Sequence, residues 1–445
     1  MNHKKSKIRL NNSSLDMISN LPTDVIHELL ERLSLKDAAQ MSVLSHKWRD
    51  IWTSNPHLVF DEPFFARVLK QKVRDTDKFC NIVSKILFQH EGPILKFSLY
   101  VPLGISCPDV AQWISYLSRN GLKDFSLCNM YRAMPLQLGS RLFSCVDLEN
   151  LKLTCCIFSP PPDFRGFPKL ICLELDGVVI NYTTFKNLIG SCPVLQKIVL
   201  TNFTGLQHRH VIIDAPNLRY LTLDWAFKSV YVKCCENLVS ASIGLPKLVK
   251  VHNKASLGDL VKVLTNSSKL ERLCLRSHLC RILFTECNLH TASQKLRNLD
   301  LLDLHLDFQD DVFSVFSCIQ SFPNIETLKI SVHSSTNLAE HVLDYNADGT
   351  LHNLRCAKVR LLVASTTEMK LIEFLLACSP VLEKLLVHAP TVKGSSRLKM
   401  LVQLNRFRRI SQKVEVICPV SVVITSASRS DSPSAESAYD SSDSD

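Results

Sequence analysis

One leucine pattern recurs along most of the chain. From residue 94 onward the motif L-x-x-L-x-L returns, with Ile, Phe, Val or Ala at some of its positions. Its twelve copies begin 20 to 32 residues apart. They are Ile94/Phe97/Leu99, Leu122/Phe125/Leu127, Leu148/Leu151/Leu153, Leu170/Leu173/Leu175, Leu195/Ile198/Leu200, Leu218/Leu221/Leu223, Leu238/Ala241/Ile243, Leu270/Leu273/Leu275, Leu299/Leu302/Leu304, Ile325/Leu328/Ile330, Leu354/Ala357/Val359 and Leu382/Leu385/Val387. A motif and a spacing that recur together indicate an internal structural repeat.

Each copy predicts one short strand followed by a return segment. A repeat of this size cannot bury its apolar face alone, so neighbouring copies must stack. This predicts an α/β fold, an irregular leucine-rich-repeat solenoid with a parallel sheet. Unrelated amphipathic strands of an ordinary α/β domain are the alternative, and the joint recurrence of register and spacing disfavours it. Many such repeats place an Asn after the strand; these copies do not do so regularly, so no asparagine ladder is assumed.

The residues before the repeats are predicted to be helical. In DVIHELLERL, behind Pro22, apolar residues recur at helical spacing: Val25, Ile26, Leu29, Leu30 and Leu33. Further on, SHKWRDIW places Trp48 and Trp52 four residues apart on one face. So much apolar surface in so short a unit must be covered by something else. An amphipathic linker helix is expected between residues 61 and 93.

Composition restricts the class of protein. The 445 residues are 46% hydrophobic and 21% charged, as in folded globular chains. The length predicts two or three units, or one long array. No apolar run is long enough to span a membrane, and the N-terminus lacks the apolar segment of a secretory signal. The chain is therefore expected in the cytoplasm, the nucleus or both.

The cysteines and histidines give little support to a chemical site. The 17 cysteines are scattered beside Leu and Ile, as small buried hydrophobes are in a reducing compartment. One His/Cys group, His278, Cys280, Cys287 and His290, has a spacing that matches no zinc module. No Gly-x-Ser-x-Gly, P-loop or Gly-x-Gly-x-x-Gly motif occurs. We predict no catalytic residue, no metal and no cofactor.

The charge of the chain is +10, and its C-terminal segment has the opposite sign. Residues 426–445, SASRSDSPSAESAYDSSDSD, contain five acidic residues and one Arg. The basic residues elsewhere are dispersed, without the aromatic-interleaved stripe that would indicate nucleic-acid binding. Residues 1–14 and the tail have too few apolar groups to offset their ordering entropy, so disorder is expected. The tail serines beside acidic residues are candidate phosphorylation sites, or the tail merely aids solubility.

Two stretches resemble a known family. Residues 16–60, with the core LPTDVIHELLERLSLKDAAQMSVLSHKWRDIW, resemble an F-box. The matching positions are Leu21, Pro22, Ile26, Leu29, Leu30, Leu33, Asp37, Ala38, Ser42, Leu44, Ser45, Trp48, Arg49 and Trp52. Near the C-terminus, EMKLIEFLLACSPVLEKLLVHAP and NRFRRISQKVEVIC resemble the FBD region of plant F-box/FBD/leucine-rich-repeat proteins. The expected order is a disordered basic N-terminus (1–14), F-box (15–60), linker helix (61–93), leucine-rich repeats (94–350), FBD-like segment with the last repeats (351–420) and disordered acidic Ser-rich tail (421–445).

The resemblance implies a non-catalytic substrate-recognition subunit of an SCF-type E3 ubiquitin ligase, which acts in protein degradation. Its F-box would bind the adaptor subunit of a cullin-RING ligase, and through it the cullin, while the repeats would bind an unknown target protein. The adaptor-binding residues implied are Leu21, Pro22, Ile26, Leu29, Leu30, Ala38, Trp48 and Trp52. Each of them could instead pack inside the helical unit. A protein-interaction scaffold not engaged with a cullin is the main alternative, and an enzyme that uses the scattered Cys or His residues is another.

Target-binding candidates follow from the alternation of side chains along the strands. Residues between the buried leucines point to the opposite, concave face of the predicted sheet. These candidates are Lys152, Glu174, Asp176, Thr222, Asp224, Arg276, Asp303, His305 and Lys329. Their mixed charge favours a protein or peptide target over nucleic acid, and no membrane partner is expected.

Overall fold

A computed structural model describes most of the repeat region and parts of the N-terminal segment. The described residues are 21–22, 25–26, 28–29, 33, 35–41, 52–69, 75–203, 210–227, 229–245, 263–264, 267–277, 279, 283, 295–306, 309–335, 350–392 and 394–419. Leu30, Trp48 and the two predicted disordered segments beyond these ranges lie outside the described residues.

Strands are the most numerous elements in the described residues. In chain order they are β1 (His57–Phe60), β2 (Lys96–Val101), β3 (Asp124–Asn129), β4 (Leu136–Gln137), β5 (Asn150–Thr154), β6 (Cys156–Ile157), β7 (Cys172–Asp176), β8 (Lys197–Thr201), β9 (His210–Ile213), β10 (Tyr220–Asp224), β11 (Ser229–Val232), β12 (Ser240–Leu245), β13 (Arg272–Ser277), β14 (Asn298–Leu306), β15 (Thr327–Ser335), β16 (Cys356–Arg360), β17 (Lys384–His388) and β18 (Glu415–Ile417).

Within the described ranges, fourteen of these strands form one sheet in the order β1-β2-β3-β5-β7-β8-β10-β12-β13-β14-β15-β16-β17-β18. Every pairing in this sheet is parallel. Chain order and spatial order therefore coincide, as stacked repeats require. Two small parallel pairs, β4 with β6 and β9 with β11, lie outside it.

The leucines of the motif stack into rows because the strands pair in register. Leu153, Leu175, Leu200 and Leu223 are direct partners on successive strands, and all four are fully buried. The first leucine of each motif lies in the turn before its strand, and Leu148 and Leu170 are buried there too. The rows form one continuous hydrophobic core along the sheet, and burial of such apolar surface is the main stabilising term of the fold.

Backbone hydrogen bonds join each turn to the repeat before it. The amides of Glu149 and Asn150 both donate to the carbonyl of Lys123, at 2.8 and 3.0 Å. Ile171 and Cys172 donate in the same way to Glu149, one repeat later. This shared geometry keeps the copies in register although the segments between them differ in length.

Helices cover the leucine face of the sheet. In the described part of the chain they are α1 (Leu35–Met41), α2 (Glu62–Leu69), α3 (Thr76–Phe88), α4 (Val110–Leu117), α5 (Tyr182–Gly190), α6 (Gln309–Gln320), α7 (Thr366–Cys378) and α8 (Gly394–Arg406), with a 3₁₀ helix at Ser140–Ser144. Phe316 of α6 stacks on Phe374 of α7 with ring centroids 4.3 Å apart. Trp113 of α4 is fully buried and donates to Ser84 of α3 at 2.9 Å. The opposite face of the sheet, which we call the open face, carries the side chains that alternate with the leucines.

One copy of the motif was assigned in the wrong register. The predicted copy Leu299/Leu302/Leu304 is Leu296/Leu299/Leu301, since Leu299 pairs with Leu273 and Leu301 with Leu275. The sequence LDLLDLHL offers two overlapping frames. A bulge between Leu301 and Leu304 lets the strand use both in turn, with Asp303 at φ 56° within it. Leu304 and Leu306 are therefore buried as well.

Both ends of the sheet extend beyond the predicted repeats. β1 lies within the segment assigned to the F-box and pairs with β2. The segment expected as one linker helix contains α2 and α3. At the other end, β16 and β17 are the two predicted repeats of the FBD-like segment, and β18 extends the same sheet beyond them. The boundaries between segments stay predictions. One core includes Leu35 and β1 and continues along the sheet to Leu404 of α8, whereas Ile26 and Ala38 belong to a separate small cluster.

None of the helices in the described ranges combines the length and apolar character that crossing a membrane requires.

Candidate interaction sites

The described residues of the N-terminal segment include a small hydrophobic cluster that is separate from the main core. This cluster consists of Ile26 and Ala38, with Leu21, Met41 and Trp52 packed against it. Ile26 begins a helical turn by donating to the carbonyl of Pro22 at 3.1 Å. The predicted adaptor residues Ile26 and Ala38 are thus covered by the chain itself. Trp52 also contacts the main core and so links the segment to the sheet.

Several large apolar side chains of this segment face solvent. Val25, Leu29 and Leu33 are 40%, 40% and 37% exposed. They are four residues apart, and the amide of Leu33 donates to the carbonyl of Leu29 at 3.2 Å. Four-residue spacing places side chains on one helix face. Pro22 is exposed as well, and Leu21 is half-buried. We call Val25, Leu29 and Leu33 the apolar stripe.

The strand register sorts the predicted target residues into rows on the open face. Lys152, Glu174, Thr222 and Lys329 lie in the middle row of the sheet. The next row, nearer the carboxyl ends of the strands, contains a second set: Asp176, Asp224 and Arg276. All seven are exposed or half-buried. The alternation thus placed these residues on the open face as expected.

The bulge in β14 changes the positions of Asp303 and His305. Asp303 lies in the bulge itself, and His305 pairs with Ser334 in the extended part of β14 and β15. The imidazole of His305 lies against that of His333, with ring centroids 5.0 Å apart. Asp300, which the wrong register concealed, occupies the middle row beside Lys329.

Glu174 lies between two lysines. Its carboxylate is 2.5 Å from Lys197 Nζ and 3.4 Å from Lys152 Nζ. Burial raises the pKa of Glu174, but the hydrogen bond from Lys197 and the two ammonium charges outweigh it, and the net pKa is lowered. The same hydrogen bond raises the pKa of Lys197. Both partners are therefore held in their charged forms.

Asp176 is held by a second set of polar contacts. Its carboxylate accepts from Thr201 Oγ1 at 2.8 Å and from Asn202 Nδ2 at 2.6 Å. Arg132, from the loop after β3, lies 3.6 Å from its other oxygen. The acid is thereby tied to the neighbouring strand and to a loop two strands away.

Arg276 lies between two acids. Its Nη1 is 3.7 Å from Asp224 and 3.9 Å from Asp303. Its Nε is buried without a hydrogen-bond partner among the described residues. Burial raises the pKa of Asp224, against the opposing effect of the Arg276 charge. Glu174, Asp176 and Asp224 thus each have a basic side chain within 4 Å.

Two shallow hollows lie on the open face near the N-terminal end of the sheet. One, of about 450 Å³, is lined by residues of β2, β3, β5 and β7, among them Lys96, Asp124 and Lys152. The other, of about 410 Å³, lies at the carboxyl ends of β3, β5, β7 and β8, around Asp176 and Arg132. Both are open surface depressions with mixed charges, a form suited to a peptide or protein side chain.

A loop that sequence reasoning missed borders the second hollow. Asn129 is buried and donates from Nδ2 to the carbonyls of Tyr131, Met134 and Cys155, at 3.3, 2.9 and 3.1 Å. The loop it holds exposes Met130 and Met134, at 45% and 64%. The only sequence signal was a polar residue at the end of a strand, followed by two methionines.

Metal-ligand chemistry has no support in the described part of the chain, where no group of three or more His, Cys, Asp and Glu could hold an ion. His278, Cys280, Cys287 and His290 lie outside the described residues. The cysteines that are described are free thiols, most of them buried. Burial raises the pKa of the Cys145 and Cys192 thiols to about 11 each. Thiols of this kind are poor nucleophiles at neutral pH.

Comparisons with known proteins agree with this organisation. Residues 18–60 match the F-box domain, and residues 110–330 match the LRR repeats of the FBD-associated F-box protein At5g56370. The F-box/FBD/LRR-repeat protein At1g13570 of Arabidopsis thaliana is 31% identical over 91% of this chain and 98% of its own length. F-box/LRR-repeat protein 13 of the same plant is 25% identical over 91% of this chain and 96% of its own.

A third Arabidopsis relative, the F-box/FBD/LRR-repeat protein At2g04230, is 31% identical over about half of each chain. Among solved structures, an internalin from Listeria monocytogenes covers 72% of this chain at 13% identity, with a TM-score of 0.32, which is too low to bear on the fold. Identity with At1g13570 along nearly the full length of both chains shows the family. The chain belongs to the F-box/FBD/LRR-repeat proteins of plants, with an F-box before a leucine-rich-repeat sheet.

Proposed function

We propose that the protein is the substrate-recognition subunit of an SCF-type E3 ubiquitin ligase. Its F-box binds the ligase adaptor, the adaptor connects it to the cullin, and the open face of the repeats binds a target protein. The protein itself is non-catalytic, since ubiquitin transfer in such a complex belongs to other subunits.

The apolar stripe is the observation that carries this proposal. In the described part of this segment Ile26 is buried against Ala38, whereas Val25, Leu29 and Leu33 are exposed. Contiguous exposed apolar side chains commonly mark a protein interface, and an amphipathic helix laid on a partner is a frequent form of it. The stripe lies within the residues that match the F-box domain, so the partner that fits it is an adaptor of SKP1 type.

Co-purification from plant cells tests the proposal. Tagged full-length chain should recover both adaptor and cullin, and Leu29→Asp should recover neither, since a carboxylate cannot be buried in an apolar interface without a counter-charge. Leu398→Asp is the matched control, since Leu398 on α8 is 65% exposed and far from the stripe in sequence. Recovery of adaptor without cullin would favour the scaffold alternative. Recovery of neither by the wild-type chain would contradict the proposal.

The target surface is proposed on the open face. Complementary charges across a protein interface contribute specificity and faster association more than affinity, and the open face offers charges of both signs. Reversing the charges of Lys152, Asp176 and Lys329 together should reduce target capture in proximity labelling under proteasome inhibition. The same changes should leave adaptor recovery unchanged. Unchanged capture would place the target on the loops instead, beginning with the exposed methionines after β3.

We propose the cytoplasm and nucleus as the location. Free, mostly buried thiols in the described residues suit a reducing compartment. Fluorescence microscopy of a tagged chain tests this directly, and accumulation in the secretory pathway would contradict it.

A further inference from the structure

A group of basic side chains lies on the open face toward the C-terminal end of the sheet. We call Arg272, Lys329, Lys358, Arg360 and Lys384 the basic patch; all five are exposed. Lys329 and Lys358 are direct partners on β15 and β16, and Lys384 pairs with Cys356 on the adjoining strands. Like charges directly opposite each other are unfavourable, so this patch needs a counter-charge.

The described residues supply too little of that counter-charge. No carboxylate among them lies within ion-pairing distance, 4 Å, of any of the five bases, whereas Glu174, Asp176 and Asp224 farther along the sheet are all paired. The acids beside the patch in the same rows are Asp300 and Glu415. Asp300 is half-buried, and burial raises its pKa in spite of the nearby lysines. Five cations therefore face two carboxylates.

The backbone leaves the sheet close to this patch. After β18, the carbonyls of Cys418 and Pro419 accept from Arg397 Nη2 of α8 at 3.3 and 3.1 Å. β18 lies three strands from β15 and five from β13, or about 14 and 24 Å at the usual strand spacing. The seven residues from Pro419 to Ser426 can span about 23 Å when extended. Residue 426 can thus reach the bases on β15 to β17, and the residues that follow it can reach Arg272 on β13.

Residues 426–445 have the composition that the patch requires. They contain Asp431, Glu436, Asp440, Asp443 and Asp445 against Arg429, with almost no large apolar groups. We propose that this acidic segment occupies the basic patch of its own chain. A tether of this length gives an effective concentration on the order of millimolar, so weak charge pairing is enough for occupancy. Phosphorylation of its serines would add negative charge and strengthen the contact.

The consequence for target binding rests on the proposed function. If targets bind the open face, an acidic target segment must displace the chain's own segment from the patch. Because the acidic segment competes for the basic patch, only targets with stronger negative charge or additional contacts then bind. The contact itself does not depend on an adaptor or a target, and its test is independent of both.

Zero-length carbodiimide coupling of the purified full-length chain tests the contact. The reagent joins a carboxylate to an amine only where the two meet, and trypsin releases the tail from Ser430 onward as a single acidic peptide. Lys399 of α8 and Lys413 before β18 are the matched controls. Both are exposed and lie near the base of the tail, but neither is in the rows of the open face.

We expect the tail acids to couple to Lys329, Lys358 and Lys384 several-fold more than to Lys399 and Lys413. The preference should disappear at about 1 M salt, where the screening length falls to about 3 Å. Asp440, Asp443 and Asp445 changed together to Asn should reduce coupling of the remaining acids to the patch. Equal yields on patch and control lysines, or yields that salt does not change, would overturn the proposal whether or not the adaptor binds.

Discussion

Arg276 reaches across Gly244 to pair with Asp224, two strands away, with Nη1 3.7 Å from Oδ2. Asp224, Gly244 and Arg276 are register partners on β10, β12 and β13. Because the middle strand has no side chain at this position, the long guanidinium can lie over it. The pair links three repeats on the open face.

Gly244→Ala should break this arrangement. A Cβ at this position would lie 2.7 Å from Asp224 Oδ1 and 3.2 Å from Arg276 Cβ, so one of the two side chains must move. We expect a loss of about 1 kcal/mol in urea unfolding, the usual size of a single disruption of this kind. Gly190→Ala is the control: no atom lies within 4 Å of its added Cβ, and reduced chain entropy should stabilise by roughly 0.4–1 kcal/mol. Equal effects at the two glycines would contradict the account of Gly244.

Glu174→Gln should destabilise the protein in a pH-dependent way. The folded-state pKa of Glu174 is lowered, so its contribution is present above the unfolded pKa of about 4.3 and is lost as pH falls through the folded pKa. Urea unfolding at pH 7 should show a deficit of about 1 kcal/mol, smaller than is usual for a charged hydrogen bond because solvent screens the half-exposed lysines, and the deficit should vanish in acid. A deficit that persists at low pH would contradict the assignment.

Asp300→Asn should change the free energy of unfolding at pH 7 in the opposite direction to Glu174→Gln. Burial raises the folded-state pKa of Asp300, so its ionised form opposes folding at neutral pH. The wild-type protein gains stability relative to the variant as pH falls through that raised pKa. Urea unfolding at pH 7 should therefore find Asp300→Asn at least as stable as wild type, with the difference closing in acid. A clearly less stable variant at pH 7 would show that the lysine contacts outweigh burial.

Glu368→Ala should be among the most damaging single substitutions. Glu368 is fully buried, and its carboxylate accepts from the amides of Leu362, Val363 and Ser365 at 2.7, 3.1 and 2.9 Å. Each buried amide left without a partner costs about 1–3 kcal/mol, so we expect a loss of at least about 3 kcal/mol in urea unfolding. Glu373→Ala, on the half-exposed side of the same helix, should cost far less.

Much of the fold could be predicted from the sequence, because the motif repeats in register. The buried rows, the open face and the placement of Lys152 or Asp176 follow from alternation alone. The copy at Leu299 was misassigned because its leucines fit two frames, and only pairing with β13 and β15 selects one. That error also concealed Asp300.

Contacts between side chains on two or three different strands could not be predicted from the sequence. Asp224, Gly244 and Arg276 are separated by unequal chain lengths, so their adjacency appears only once the strands are paired. In the F-box segment, helical spacing made Ile26 and Leu29 equal candidates for contact with the adaptor. Packing against Ala38 separates them, with Ile26 buried and Leu29 exposed.

Titration of the purified full-length chain with an SKP1-type adaptor tests the central claim most directly. Val25→Asp with Leu29→Asp removes two neighbouring apolar contacts of the stripe, and truncating such anchors typically costs roughly 2–4 kcal/mol. At about 1.4 kcal/mol for each tenfold change, the variant should bind on the order of a hundredfold more weakly. Leu398→Asp should bind as wild type does, and all three chains should melt alike. Wild-type affinity in the stripe variant, or no adaptor binding by the wild-type chain, would contradict the assignment of this surface to the ligase.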